Sequence, residues 1–417
     1  MSNPLARTFR SLRHFNYRLW AVGALVSNIG SWVQRTAQSW LVFTQLTEHS
    51  ASALGIVLAL QFAPQLLLLP WTGYAADHFN QRRLLMLTQA AMGALSLALG
   101  LLTILDIVQL WHVYVLALLF GCAAAVDAPV RQTFVAELVG DEDLPNAVAL
   151  NSTSFNAAQM IGPAIAGGVI ATVGTGWAFL IDGFSFAAVL ISLFLLRRAQ
   201  LKPIARTGGA KGNFVEGIRY VMARPDLKAI LLMLFLIGTF GLNFPIFISG
   251  MAVGVFHADA ASYGLLSTIM AIGTISGSLL TASRKKAARF GVLLVGVGAF
   301  GLGCALAALA PGYWSFAAAL ILIGVAAFTF TNTTNSLMQL STEPKMRGRV
   351  MALRVGVALG GTPIGALIEG RVADQWGPRW ALGVAATAAA IAVLVCLQAM
   401  RRQIDSHGAE PRRRNVT

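Results

Sequence analysis

The sequence predicts an all-α membrane protein: twelve transmembrane helices in two pseudo-symmetric six-helix bundles. Three observations predict it. Only 12% of residues are charged and 56% are hydrophobic, with a mean hydropathy of +0.69. A soluble domain carries about 25% charged residues. Apolar stretches of about 20 residues recur along the whole chain, the length that crosses a bilayer as a helix. Finally, the second half of the chain echoes the first.

The echo is strongest at an offset of 203 residues, which lays Ala149–Ala178 on Ala352–Ala381 without a gap. Ala149, Leu150, Ile161, Gly162, Ile165, Gly167, Val169, Gly174, Trp177 and Ala178 all meet identical residues. The shared Gly-x-x-Trp step, Gly174/Trp177 with Gly377/Trp380, is the least compositional of these matches. Parallel six-helix repeats are what alternating-access transporters are built from, with a cavity between the halves.

Taken in order, the spans are expected at 19–44, 52–74, 84–105, 111–134, 146–172, 177–196, 229–256, 262–282, 290–310, 314–339, 349–373 and 379–400. This divides the chain into an N-terminal bundle over 1–196, a linker over 197–228, a C-terminal bundle over 229–400 and a basic tail over 401–417. The linker carries Arg197-Arg198, a Gly-Gly, Pro203 and Pro225, with a surface helix expected at Phe214–Met222. An even span number puts both termini on one side, and basic residues mark that side as cytoplasmic. It receives four before Leu19, then Arg82 and Arg83, eight from Arg197 to Lys228, four from Arg284 to Arg289, three from Lys345 to Arg349 and five after residue 400. The opposite side receives only Arg371 and Arg379.

The net charge of +14 is therefore a topology signal and not a nucleic-acid footprint. The first 18 residues hold Arg7, Arg10, Arg13 and Arg18 and show no small-residue cleavage site, so the first span is expected to be retained. Cys122, Cys304 and Cys396 lie in apolar runs and read as reduced packing residues. No nucleotide-binding glycine loop ending in Lys-Ser/Thr, no His/Cys metal spacing and no nucleophile–base arrangement is visible, so no cofactor, metal or enzymatic role is expected.

The stretch Gly73-Tyr-Ala-Ala-Asp77-His-Phe-Asn-Gln-Arg82-Arg83 is a tight charged turn between two apolar runs. It resembles the loop between helices 2 and 3 of the major facilitator superfamily, whose pattern is Gly-x-x-x-Asp-Arg/Lys-x-Gly-x-Arg-Arg/Lys. Gly73, Asp77, Arg82 and Arg83 match; His78 and Asn80 depart. Asn80 replaces the family's glycine and is expected to supply the same left-handed turn. Gln81 stands where the family often has a relay arginine, leaving Arg82 and Arg131 as candidates for that part.

The resemblance extends over nearly the whole chain. It includes Asn16-Tyr-Arg-Leu-Trp, Asp127-Ala-Pro-Val-Arg131-Gln-Thr-Phe-Val-Ala-Glu137, Leu144-Pro-Asn-Ala-Val-Ala-Leu-Asn151, Ile161-Gly-Pro163-Ala-Ile-Ala-Gly167, Arg347-Gly-Arg-Val-Met and Thr362-Pro-Ile-Gly-Ala. Together these resemble the superfamily branch of the enterobactin exporter and the bacterial macrolide-efflux-type proteins. The resemblance implies a monomeric secondary exporter of a small organic compound in the bacterial inner membrane, driven by proton antiport.

Ionisable groups inside spans are costly, about 2.5–3.5 kcal/mol each on insertion scales, so each is a candidate functional group. Asp127 and Arg131 stand four apart on one helix face, where they can pair. With the Asp77 loop they would form a cytoplasmic latch; alone they would be a packing ion pair. Asn28, Ser31, Arg35 and Gln38 recur at helical spacing in the first span, a polar stripe that in lipid faces protein or water. They read as cavity lining, Arg35 attracting an anionic group or else capping a neighbouring helix. Phe240 and Asn243 in the seventh span, with Asn332 and Ser336 in the tenth, offer mixed amide and aromatic lining suited to a mid-sized organic molecule. Gly162, Pro163 and Gly167 in the fifth span resemble a degenerate antiporter motif, or else mark a packing kink. Asp182 and Glu369 are placed near the outer ends of their spans, either titrating or merely interfacial.

Two other readings compete with export. One is a lipid or lysolipid flippase on the same fold, which a greasy lateral opening would distinguish. The other is a non-transporting sensor or scaffold, disfavoured because no soluble domain is appended.

Overall fold

The computed structural model describes residues 9–68, 71–72, 75, 78–202, 214–282 and 289–409, the side chains of 214–215, 282 and 402–409 excepted. Gly73 and Asp77 lie outside the described residues. All regular structure among the described residues is helical. The chain clusters into two compact units, one of Met1–Ala210 with Ala252–Thr268, the other of Lys211–Met251 with Ile269–Thr417.

The first unit begins with a 3-10 turn, Arg10–Arg13, and then α1, Phe15–Trp40, which closes in a π-turn over Leu41–Gln45. α2 follows at Ala51–Leu67, α3 at Gln81–Ile104, α4 at Leu110–Val139, α5 at Leu144–Val173 and α6 at Thr175–Leu195. Polar side chains start these helices where backbone N–H groups lack partners. Ser50 accepts from the Ala53 amide at 3.2 Å and Asn80 from the Arg83 amide at 3.0 Å. Asn80 is thus an extended N-cap residue with φ −67°. The expectation of a left-handed Asn80 is corrected: its side chain is worth more as a helix cap than its backbone is as a turn.

The second unit holds α7 at Phe214–Ala223, α8 at Pro225–Phe240, α9 at Phe244–Ser249 with a π-turn over Gly250–Val255, and α10 at Ala260–Ala282. α11 spans Phe290–Ala308, α12 Tyr313–Ser341, α13 Arg347–Trp376 and α14 Pro378–Ala409. Of these, α9 lies wholly in the second unit, whereas α10 belongs to the first unit as far as Thr268 and to the second from Ile269.

Ten segments among the described residues are long and apolar enough to cross a membrane. The first and second expected spans are also helices, but α1 is too polar and α2, at 17 residues, too short to be among those ten. The seventh expected span, 229–256, is broken at Gly241–Asn243 between α8 and α9. The reason is local. Pro245 has no N–H to offer the carbonyl one turn back, and its ring crowds that carbonyl.

The repeat read from the sequence has a backbone counterpart. Gly174 joins α5 to α6 at φ 95°, ψ 166°, and Gly377 joins α13 to α14 at φ 97°, ψ 159°. Positive φ is a glycine conformation, so these two are required by the corner they turn. Neighbours also correspond. α1 packs on α5 and α6 as α8 packs on α13 and α14, and α3 packs on α6 as α11 packs on α14. Tyr17, Trp20, Leu85, Phe134 and Leu193 anchor an apolar core in the first unit.

Candidate functional site

In the first unit the sequence-predicted pair meets. Arg131 Nε and Nη2 both donate to Asp127 Oδ2, at 3.0 and 2.6 Å. Thr88 and Gln89 of α3 donate to the other oxygen at 2.8 and 2.7 Å. Arg131 Nη1 reaches Asn28 of α1 at 3.4 Å. Asp127 is only 3% exposed. A buried carboxylate with four donors is fully solvated by protein, so the charge is held without water. The node joins α1, α3 and α4. Thr88 and Gln89 are additions that sequence reasoning missed; their only signal was two adjacent polar residues in an apolar helix.

Arg82 goes elsewhere. Its Nε donates to the Leu193 carbonyl at 2.6 Å and Nη2 to that of Phe194 at 3.3 Å. It closes the C-terminal end of α6, where orphan carbonyls and the helix dipole favour a cation. Arg83 is exposed. Of the two candidate relay arginines, Arg131 is therefore the one beside Asp127.

Asp143, which the sequence reading passed over, ties the N-terminal segment to the α4–α5 turn. Its carboxylate takes His14 Nε2 at 2.7 Å, Arg13 Nη2 at 2.8 Å and the Arg10 guanidinium. The His14 bond, with the arginines behind it, holds the Asp143 carboxyl below the usual carboxylate range. Ser11 adds bonds to Asn146 and to the Asp143 carbonyl.

The polar stripe of α1 lies largely inside the first unit. Asn28 and Gln38 are buried, Gln34 donating to Gln38 at 2.8 Å. Arg35 sits 5.2 Å over the Trp32 ring and 6.0 Å from that of Phe62. Asp182 of α6 lies in its electrostatic reach, with Ser31 beside it. Ser96 of α3 donates to Asp182 at 2.7 Å. Asp182 is fully buried within the protein.

On α5, Gly162 faces Trp32 and the Ile29 carbonyl of α1. Gly167 faces α10, where a Cβ would stand 2.9 Å from the Ala260 carbonyl and 3.2 Å from Gly264. Pro163 meets Gly264. This stripe makes two close helix crossings, as small residues in membrane helices do. In the second unit Phe240 and Asn332 are half-buried, as is Ser336. Asn243 is buried and donates to the Thr239 carbonyl at 2.7 Å. Glu369 of α13 is fully buried beside it. Phe240 also borders an apolar groove of about 910 Å³ between α8, α13 and α14, flanked by Leu236, Trp376 and Trp380. Among the described residues no His, Cys, Asp or Glu cluster is placed to hold a metal.

Known proteins share both pattern and fold. The staphyloferrin A transporter of Staphylococcus aureus is 27% identical over 84% of this chain and 87% of its own. The multidrug efflux pump Tap of Mycolicibacterium fortuitum is 26% identical, covering 85% and 88%. The enterobactin exporter of Citrobacter koseri is 24% identical, covering 80% of each. Among solved structures, a bacterial homologue of the human lysosomal transporter Spinster superposes with a TM-score of 0.74 at 15% identity, covering 93% of this chain and 97% of that one. A D-xylose–proton symporter does so with a TM-score of 0.70 at 13% identity, covering 92% and 97%. The family model described as a transmembrane secretion effector matches residues 6–416, so the chain belongs to that family of major facilitator transporters.

Proposed function

We propose that this transporter is a secondary active exporter of a small organic compound, siderophore-like or drug-like, working by alternating access and driven by proton antiport. The observation that carries the reading is the cargo of its relatives. Two are named for siderophores and one for drugs, each aligned over four-fifths or more of the chain. In this reading the Asp127–Arg131 node works with the Asp77 loop as the latch on the cytoplasmic side. Asn28, Ser31, Arg35, Gln38, Phe240, Asn243, Asn332 and Ser336 line the cargo path, and Gly162, Pro163 and Gly167 form the close-packed face on which α5 moves. Both termini, the 197–228 linker and the 401–417 tail lie in the cytoplasm, and the protein works as a monomer in the bacterial inner membrane.

The test is uptake by everted membrane vesicles of enterobactin, staphyloferrin A and ethidium. At least one should accumulate under an imposed proton gradient and leave when a protonophore collapses it. Accumulation of none above vesicles lacking the protein, or accumulation indifferent to the gradient, would refute the reading.

The apolar groove beside Phe240, Trp376 and Trp380 supports a second reading, a cargo with an acyl chain. A fluorescent lysolipid in reconstituted vesicles then crosses the bilayer faster with the protein than without it.

A further inference from the structure

Among the described residues of the second unit, Glu369 is the buried acid with nothing to justify a charge. It is 0% exposed, and among the described residues neither carboxyl oxygen has a hydrogen-bond partner. The same face of α13 carries Gly361 and Gly365, spaced one turn apart, which let α13 close onto the backbone of Thr239 on α8. That approach carries Glu369 to the break between α8 and α9, where Asn243 is its polar neighbour. Asn243 donates its amide nitrogen to the Thr239 carbonyl, so its oxygen is turned away from that bond and has no donor. The Asn243 amide nitrogen is on the side of α13, yet both Glu369 oxygens and Asn243 Oδ1 are buried without a hydrogen-bond partner among the described residues, three acceptors short of donors. A carboxylic acid supplies the missing O–H.

The repeat shows that packing does not require the group. At the 203-residue offset Gly162 lies on Gly365 and Gly167 on Gly370, and Glu369 falls on Ala166, also fully buried. An alanine fills the equivalent place in the first unit. Nor is there a compensating cation. No Lys, Arg or His among the described residues pairs with Glu369 from α8, α9, α12 or α14. Arg379 at the start of α14 is bonded to the carbonyls of Ala308 and Ala310. On α13 itself Arg371 and Asp374 are exposed on other faces. The titratable group that does face it is the buried Cys304 thiol of α11. An unpaired carboxylate in such surroundings is strongly disfavoured.

We infer that Glu369 and Asn243 form a proton-binding site at the break of the seventh span, occupied while the two side chains are buried as they are here. Binding adds one proton to a carboxyl oxygen, and the new O–H donates to Asn243 Oδ1. Release returns the proton to water and leaves an anion that only an opened, hydrated break can hold. The inference gives the proton-driven reading above a residue, and it rests on that reading only for the coupling step.

The test needs no cargo. Infrared spectra of the purified protein at neutral pH should show a protonated-carboxyl C=O stretch that Glu369→Gln and Glu369→Ala both lose. Ala is the residue of the first repeat, and Gln still donates to Asn243, so both variants should fold. Dicyclohexylcarbodiimide, which attacks protonated carboxyls in apolar places, should label the peptide containing Glu369 in the wild type and fall to background as pH is raised. Absence of a band that the variants remove overturns the site. So does a band that added sodium abolishes at fixed pH, which would assign the oxygens to a metal ion. A band present in a protein whose vesicle transport ignores the proton gradient would sink the driving force while leaving the proton site in place.

Discussion

Asp127 and Arg131 stand one turn apart on α4, and both guanidinium nitrogens of the bond converge on a single oxygen, Asp127 Oδ2. The second oxygen is left for Thr88 and Gln89. Each partner is therefore fixed by the other and by α3, so the pair should behave as a unit.

Single substitutions should reveal this. Asp127→Asn leaves Arg131 without its anion, and Arg131→Gln leaves a buried carboxylate with two neutral donors. Each should destabilise the protein by about 3–5 kcal/mol, the scale for breaking a buried pair, and the double variant by less than the sum. Thermal unfolding in detergent, read as a double-mutant cycle, measures the coupling. Additive losses would show that the node is not a unit.

Arg82 and Arg83 are neighbours in sequence with different employment. Arg82→Ala removes two bonds to the end of α6 and should cost about 1–2 kcal/mol, the upper end of what a well-buried cation at a helix C-terminus contributes. Arg83→Ala should change stability by less than about 0.5 kcal/mol, as for an exposed site. Equal effects in a melting comparison would contradict the structure.

Asp143 makes an acid-side prediction. Its folded carboxyl is held below the usual range, first by His14, then by Arg13 and Arg10. The stabilisation is therefore complete above the ordinary carboxylate pKa of about 3.9 and is lost as pH falls through the lower folded value. Asp143→Asn should melt below the wild type at pH 6 and 7, and the gap should close on acidification below about pH 4. A constant gap across that range would show that the carboxylate charge is not what holds the N-terminal segment.

The topology predicted from charge is tested by cysteines placed singly at positions 5, 205 and 405. An impermeant maleimide added to intact cells should miss all three and label them after the membrane is opened. Labelling of position 205 from outside would reverse the orientation.

Where one feature decides a residue's fate, the sequence was readable. The Asp127–Arg131 pair follows from an i, i+4 spacing, and the corners at Gly174 and Gly377 follow from a repeat with glycine in register. Arg82 was misjudged because its partners are backbone carbonyls of α6, which no side-chain pattern announces. Asn80 was misjudged because capping and left-handed turning draw on the same residue types. Thr88, Gln89 and Asp143 needed knowledge of which helices touch. The break in the seventh span was written in Pro245, but apolar runs on both sides hid it.

The two repeats also differ as mechanical objects. α1 runs unbroken from Phe15 to Trp40, whereas its counterpart is two pieces, α8 and α9, joined at Gly241–Asn243. Because Pro245 offers no N–H to this joint, the two pieces can change their mutual angle at little cost in backbone hydrogen bonds. A rigid rod meets a thinner or thicker bilayer by tilting as a whole. The jointed span can instead shorten by bending, so lipid chain length should be felt first at Asn243 and only afterwards in the rest of its bundle.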